Sequence, residues 1–130
     1  MSVADPRFDH AGPEEAWLTR LAEGVFTIQS CAGCGSYQFP PSVSCRSCGS
    51  VRVALVPQSG DAVVYSSTTV RARAGGYNVS LVELPEGPRM MTRVEGVEPE
   101  EIRIGDRVAA RIVRRDGGDA IVVFDWCGRP

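Results

Sequence analysis

Lysine is absent from this chain: all fourteen basic residues are arginine. They stand against sixteen acids, for a formal charge of −2, so no overall positive field gathers phosphate as in a typical nucleic-acid binder. Histidine is nearly absent. The single one, His10, sits in the N-terminal stretch "MSVADPRFDHAG", which leaves the rest of the chain without the imidazole that usually activates a serine or thiol nucleophile. No apolar run approaches the ~18 residues of a membrane span. The N-terminal stretch also lacks the basic-then-apolar pattern of a secretory leader. Neither G-x-x-x-x-G-K nor G-x-G-x-x-G occurs, no carboxylate pair stands at a meaningful spacing, and there is no internal repeat or low-complexity tract. These absences argue against a membrane protein and a self-sufficient enzyme, and they place the chain in the cytoplasm, where thiols stay reduced.

What is present is a globular composition, with 23% charged and 43% hydrophobic residues. A length of 130 residues suits one ordinary domain or two small modules. Four of the five cysteines fall in "CAGCGSYQFPPSVSCRSCG", residues 31–49, as C-x2-C, ten residues, C-x2-C. Such spacing makes two tight knuckles whose sulfurs can face one another, with Gly35 and Gly49 supplying the backbone freedom after each. Cys31, Cys34, Cys45 and Cys48 are the expected ligands of a structural Zn²⁺: four thiolates fill a tetrahedron and leave no open position for catalysis. Iron takes the same sulfur set, and two disulfides are the other reading, disfavoured in a reducing compartment. A module of ~30 residues buries too little apolar surface to fold alone, and metal binding supplies what is missing. Zinc on four thiolates would add two negative charges, for about −4 in all. The fifth thiol, Cys127 in "DWCG", is expected as a small buried hydrophobe rather than a nucleophile.

Along the chain, residues 1–24 read as a lead-in followed by a helix over "PEEAWLTRLAEG". Pro13 suits its first position, Glu14 and Glu15 suit its positive end, and Gly24 suits its close. Trp17, Leu18, Leu21 and Val25 form one apolar stripe, to be docked either on the same domain or on a partner chain. Residues 25–57 form the cysteine module, flanked by the strand-like runs "VFTIQS" and "VRVALV". Residues 58–130 read as all β, with turns at "GG" (75–76), "PEGP" (85–88) and "DGGD" (116–119), which predicts a small barrel or sandwich. A strand over "DAVVYSSTTVRARA" would carry Arg71 and Arg73 on one face. In "YNVSLVEL", Asn78 and Ser80 share a face with Val82 and Leu84, a break in patterning that a bulge or a strand crossing from rim to core would explain.

The helix "WLTRLAEG", the knuckles "CAGCG" and "CRSCGS" with "FPP" between them, and the downstream "VSLVELPEGPRMMTRVEG", "IGDRV" and "VVFDW" resemble one family over residues 14–126. This is the zinc-ribbon/OB-fold family filed as domain of unknown function thirty-five. The knuckles are common to many families; the "LVELPEGPR" hairpin is the more specific sign. The resemblance implies a mainly β chain with an N-terminal helix, a rubredoxin-like zinc ribbon and a C-terminal OB-fold barrel. It implies a non-catalytic subunit of a thiolase-superfamily complex acting on acyl-CoA by thiolysis, aldol cleavage or acyl transfer, as in steroid or aromatic degradation. In such complexes the small subunit scaffolds its partner, with two copies of each chain, and helps enclose the CoA thioester. Arg71, Arg73, Tyr77 and Arg89 are the candidate contacts to CoA or to the partner, since guanidinium forks suit phosphate and carboxylate. The competing reading is that the arginines are solubilising charges matched by Glu83, Glu95 and Asp106. Single-stranded nucleic acid is the alternative ligand class, because zinc ribbons and OB-folds both bind it, but ten arginines against eleven acids over residues 58–130 weigh against it.

Overall fold

Pro13 opens the helix α1, Pro13–Ala22, with Glu14 and Glu15 in its first turn. Its end is a Schellman closure, in which Val25 N–H donates to the Arg20 carbonyl and Gly24 N–H to that of Leu21, both at 2.9 Å. The computed structural model describes residues 12–73, 75–116 and 118–130, so the lead-in and His10 lie outside the described residues. The chain separates into two compact units, the first ending at Gln58 and the second beginning at Ser59.

In the first unit, β1 (Thr27–Cys31) is the central strand of an antiparallel sheet, between β2 (Tyr37–Gln38) and β3 (Val53–Pro57). Ile28 pairs with Val56 and Cys31 with Val53. Leu21, Phe26 and Ile28 are buried, and Trp17 Nε1 donates to the Thr27 carbonyl at 2.8 Å while its ring meets Phe39 edge-on at 5.3 Å. The helix thus lies on its own ribbon through Trp17 and Leu21. The expected stripe is narrower than four residues, since Leu18 is exposed.

The second unit is a six-stranded sheet in the order β6-β5-β4-β8-β9-β7. Its strands are β4 (Asp61–Val70), β5 (Tyr77–Glu83), β6 (Arg89–Thr92), β7 (Val94–Glu95), β8 (Arg107–Arg114) and β9 (Ala120–Gly128), with a short 3₁₀ turn at Pro99–Glu101. All pairs are antiparallel except β7 with β9. Only Arg93 separates β6 from β7, so one run of chain lines β5 on one side and β9 on the other, and the sheet closes on itself as the five-stranded barrel of an OB-fold. Val64, Val82, Leu84, Met90, Val94, Val108 and Phe124 fill it.

Three local expectations change. β4 stops at Val70, whose partner is Tyr77, because the chain turns there, with Gly75 N–H donating to the Ala72 carbonyl at 3.0 Å; Arg71 and Arg73 therefore lie in the connection and not on a strand face. Asn78, Ser80, Val82 and Leu84 all point inward, at 3, 1, 0 and 1% exposure, while the irregularity lies in the facing strand, between Val64 and Ser66. The inward amide of Asn78 donates to the Val94 carbonyl at 2.8 Å and accepts from Val94 N–H at 2.9 Å and Ser80 Oγ at 2.7 Å. It acts as a side-chain rung between β5 and β7 at the barrel seam. Asp106, expected to match a surface arginine, does lie 3.7 Å from Arg129 Nη1, but it is 1% exposed and accepts from Arg103 N–H at 2.9 Å and Trp126 Nε1 at 3.0 Å, the pairing a buried carboxylate requires.

Candidate metal centre and ligand-facing arginines

The two knuckles are near copies of one another. Gly35 N–H donates to the Cys31 carbonyl at 2.9 Å, and Gly49 N–H to that of Cys45 at 2.8 Å. Gly33 N–H approaches Cys31 Sγ at 3.3 Å, as Ser47 N–H approaches Cys45 Sγ at 3.4 Å. Gly35 and Gly49 have φ of 78° and 80°, the left-handed conformation that closes each turn at no Cβ cost. The four sulfurs lie within 4.8 Å of one another, with Cys31 to Cys48 at 3.6 Å and Cys34 to Cys45 at 3.7 Å. A tetrahedral ion with metal–sulfur bonds of about 2.3 Å sets its sulfurs about 3.8 Å apart, so the donor set fits Zn²⁺. The thiols are free, and their separations are far from the ~2.05 Å of a disulfide.

Proton affinities diverge as crowding demands. Ser36 Oγ lies 3.0 Å from Cys34 Sγ and 3.4 Å from Cys45 Sγ. Its hydroxyl, followed by main-chain N–H groups around Cys45, draws Cys45 down to about 5 and is the leading cause of the lowered value at Cys34. At Cys48 the Ser50 amide pulls downward, but the crowded sulfurs of Cys31, Cys34 and Cys45 and desolvation together push the thiol up to about 12. A divalent cation is the group that would let all four ionise together.

Behind the knuckles, two glutamines brace the loop that carries the second one. Gln29, 4% exposed, donates to the Ser42 carbonyl at 2.8 Å and accepts from Ser42 N–H at 2.9 Å and from Gln38 Nε2 at 2.6 Å. Gln38 accepts from Arg46 N–H at 2.9 Å. Nothing in the sequence singles out Ser36, Gln29 or Gln38, because single polar residues in a strand and a loop carry no motif. The one available signal was a glutamine in an otherwise buried strand, which needs partners.

The candidate contacts do not form one site. Arg71, Arg73 and Tyr77 gather at the start of β5, all exposed. Arg89 pairs with Glu83 at the other end of that strand, about 20 Å away at 3.3 Å per residue. Its guanidinium bonds Glu83 at 3.0 Å and stacks 3.7 Å over the Tyr65 ring. Matching acids are found for Arg93, which meets Glu95 at 2.7 Å, and for Arg111, which meets Glu95 at 2.6 Å and Asp125 at 2.9 Å. Cys127 is exposed rather than buried: it lies near the end of β9 in a groove of about 630 Å³ with Val63, Leu84 and Arg107.

Against this geometry, residues 19–52 match the family description "ChsH2, rubredoxin-like zinc ribbon domain", and residues 55–113 match "ChsH2, C-terminal OB-fold domain". A "DUF35 domain-containing scaffold protein" of Pyrococcus furiosus is 33% identical over 104 residues, 74% of this chain and 76% of that protein. The chain belongs to the DUF35 family of ChsH2-like proteins.

Further relatives of this DUF35 chain extend the comparison. The "benzoylsuccinyl-CoA thiolase subunit BbsA" of Thauera aromatica is 30% identical, over 74% of this chain and 69% of its own length. A "probable enoyl-CoA hydratase alpha subunit" of Thermomonospora curvata is 33% identical over 83% of this chain, which spans about a third of that protein (35%). Among solved structures, a chain of the "Ltp2-ChsH2(DUF35) aldolase" superimposes with a TM-score of 0.80 at 29% identity, covering 91% of this DUF35 chain and 97% of that one. Among the described residues, no helix is long and apolar enough to cross a membrane.

Proposed function

We propose that this DUF35 chain is a non-catalytic subunit that scaffolds a thiolase-superfamily partner acting on carbon–carbon bonds of acyl-CoA thioesters, by thiolysis, aldol cleavage or acyl transfer. The observation that carries it is the superposition of nearly the whole chain on a subunit of the Ltp2-ChsH2(DUF35) aldolase, joined by the likeness to a thiolase subunit. In this reading Cys31, Cys34, Cys45 and Cys48 hold Zn²⁺ as architecture, since four thiolates leave the ion no free position for substrate. The complex takes two copies of each chain. Arg71, Arg73 and Tyr77 lie on a loop and strand end free to reach the CoA thioester, whereas Arg89, already held by Glu83 and Tyr65, presents a fixed surface to the partner protein.

The test is co-expression with a thiolase-fold protein encoded beside this chain in its genome. The expected result is co-purification at one-to-one stoichiometry, higher yield of soluble partner, and no acyl-CoA turnover by this chain alone. A partner that is fully soluble and active without the chain would refute the scaffold role. So would a chain that turns over substrate unaided, or one that binds single-stranded DNA at micromolar concentration but no such partner.

A further inference from the structure

Among the described residues ten large hydrophobic side chains are exposed, and five of them, Val63, Tyr65, Tyr77, Val79 and Met91, stand on the adjacent strands β4, β5 and β6. Alternation gathers them on one side. Val64, Ser80, Val82 and Met90 are buried in the barrel, so their odd-numbered neighbours face outward. The register then sets Leu81 opposite Met91, with Ser66 and Thr68 across from Leu81 and Val79. Single exposed apolar residues are ordinary, but a contiguous apolar face on a barrel marks an interaction surface. Met91, 73% exposed, stands out furthest.

Tyr65 is added to this face by the bulge. Val64 pairs with Val82 and Ser66 with Leu81, so Tyr65 is the extra residue, with no cross-strand partner, and a bulge re-aims the side chain it carries. The Arg89 guanidinium covers the Tyr65 ring at 3.7 Å and is itself held by Glu83 at 3.0 Å. The ring is therefore fixed in the free chain, which lowers the ordering cost of association. Tyrosine, methionine and arginine are also the residues enriched in the cores of protein interfaces.

The charges and the curvature select the occupant. Arg89 is the one cation on these three strands, and Glu83 neutralises it, so the face lacks the basic surface that a nucleic acid or an anionic membrane requires. As the outside of a closed barrel it is convex. Two copies laid face to face would meet along a strip, short of the ~800 Å² per partner that a stable interface buries. A different protein with a concave apolar surface can wrap it. We propose that the outer face of β4–β6, centred on Tyr65, Leu81 and Met91, is where the thiolase-superfamily partner docks, with a concave apolar surface of its own. This rests on the scaffold reading and adds its place on the chain.

Capture of the thiolase-fold protein encoded beside this chain, by the full-length zinc-loaded chain, tests the placement. Met91→Glu and Tyr65→Ala should each weaken capture about thirtyfold or more, the loss expected at the centre of an interface. The urea midpoint of Met91→Glu should stay at the wild-type value, since the side chain lies in solvent. Val51→Glu, at a similarly exposed position of the ribbon (71%), should capture as the wild type does. Radical footprinting should oxidise Met91 in the isolated chain and spare it in the complex. Undiminished capture by both face variants, an equal loss in Val51→Glu, or Met91 oxidised as readily in the complex would sink the face and leave the scaffold standing. No capture by the wild-type chain would sink the scaffold and the face with it. A micromolar homodimer in sedimentation that Met91→Glu dissociates would make a second copy the occupant and overturn the proposal. Phosphatidylglycerol vesicles that bind the wild type but not Met91→Glu would overturn it in favour of a membrane.

Discussion

Ser36 shows how one hydroxyl tunes a metal centre without touching the metal. It lies against both the Cys34 and Cys45 sulfurs and can donate its single proton to one of them at a time; it is the leading cause that draws the Cys45 thiol down to about 5. Cys48, pushed up to about 12, keeps its proton at neutral pH until an ion displaces it. Zinc capture therefore releases protons, and acidification opposes it, first by making that release costlier and then, near pH 5, by protonating Cys45 as well. In a competition titration with a coloured chelator, apparent zinc affinity should fall steadily from pH 8 to pH 5. Ser36→Ala should lower affinity by about tenfold at pH 6, at the modest end of the range for groups that support ligands. An unchanged affinity and a flat pH profile would mean that the thiols are not the donors.

Asn78 plays the corresponding part at the scale of a strand, since its amide bonds both main-chain groups of Val94 and so ties β5 to β7 across the seam. Asn78→Ala leaves that N–H and C=O buried without partners, at a cost of about 2–4 kcal/mol for two orphaned groups. The urea midpoint should fall accordingly, and the Val94 amide should lose protection from hydrogen exchange before the β8–β9 amides do. Equal loss across the barrel would mean that Asn78 supports the core generally and not the seam. This residue also marks where sequence reading stops. The knuckles were legible because all four ligands lie within eighteen residues at the spacing zinc demands, and the strands because alternation and glycine turns are local signals. Asn78 looked like a flaw in that alternation because its partner lies sixteen residues away on a strand it does not neighbour in sequence. Asp106 misled in the same way: its donors, Arg103 N–H and the Trp126 indole, include one twenty residues distant. The sequence could assign Cys127 an apolar role but could not show that the end of β9 faces outward.

At the scale of the whole chain, the two units are built on different principles, and each carries one tryptophan to report on it. The first has a three-stranded sheet, one short helix and a small apolar core of Leu21, Phe26 and Ile28. A body of that size ordinarily needs a metal or disulfides to stay folded, and zinc binding to small cysteine modules contributes on the order of 10 kcal/mol. The second unit closes a barrel around Phe124 and its aliphatic neighbours, and the four-cysteine cluster belongs to the first unit. Stripping the ion with a strong chelator should therefore unfold the first unit and spare the second. Trp17, bonded to the Thr27 carbonyl and set against Phe39, reports the ribbon in a Trp126→Phe chain. Trp126, bonded to Asp106, reports the barrel in a Trp17→Phe chain. On chelation the Trp17 emission should shift to that of a solvated indole, and re-adding zinc should restore it, while the Trp126 emission and its urea midpoint stay put. Loss of both signals together would mean that the barrel depends on the ribbon. A Trp17 signal indifferent to the chelator would mean that Leu21 and its neighbours hold the ribbon without the clasp.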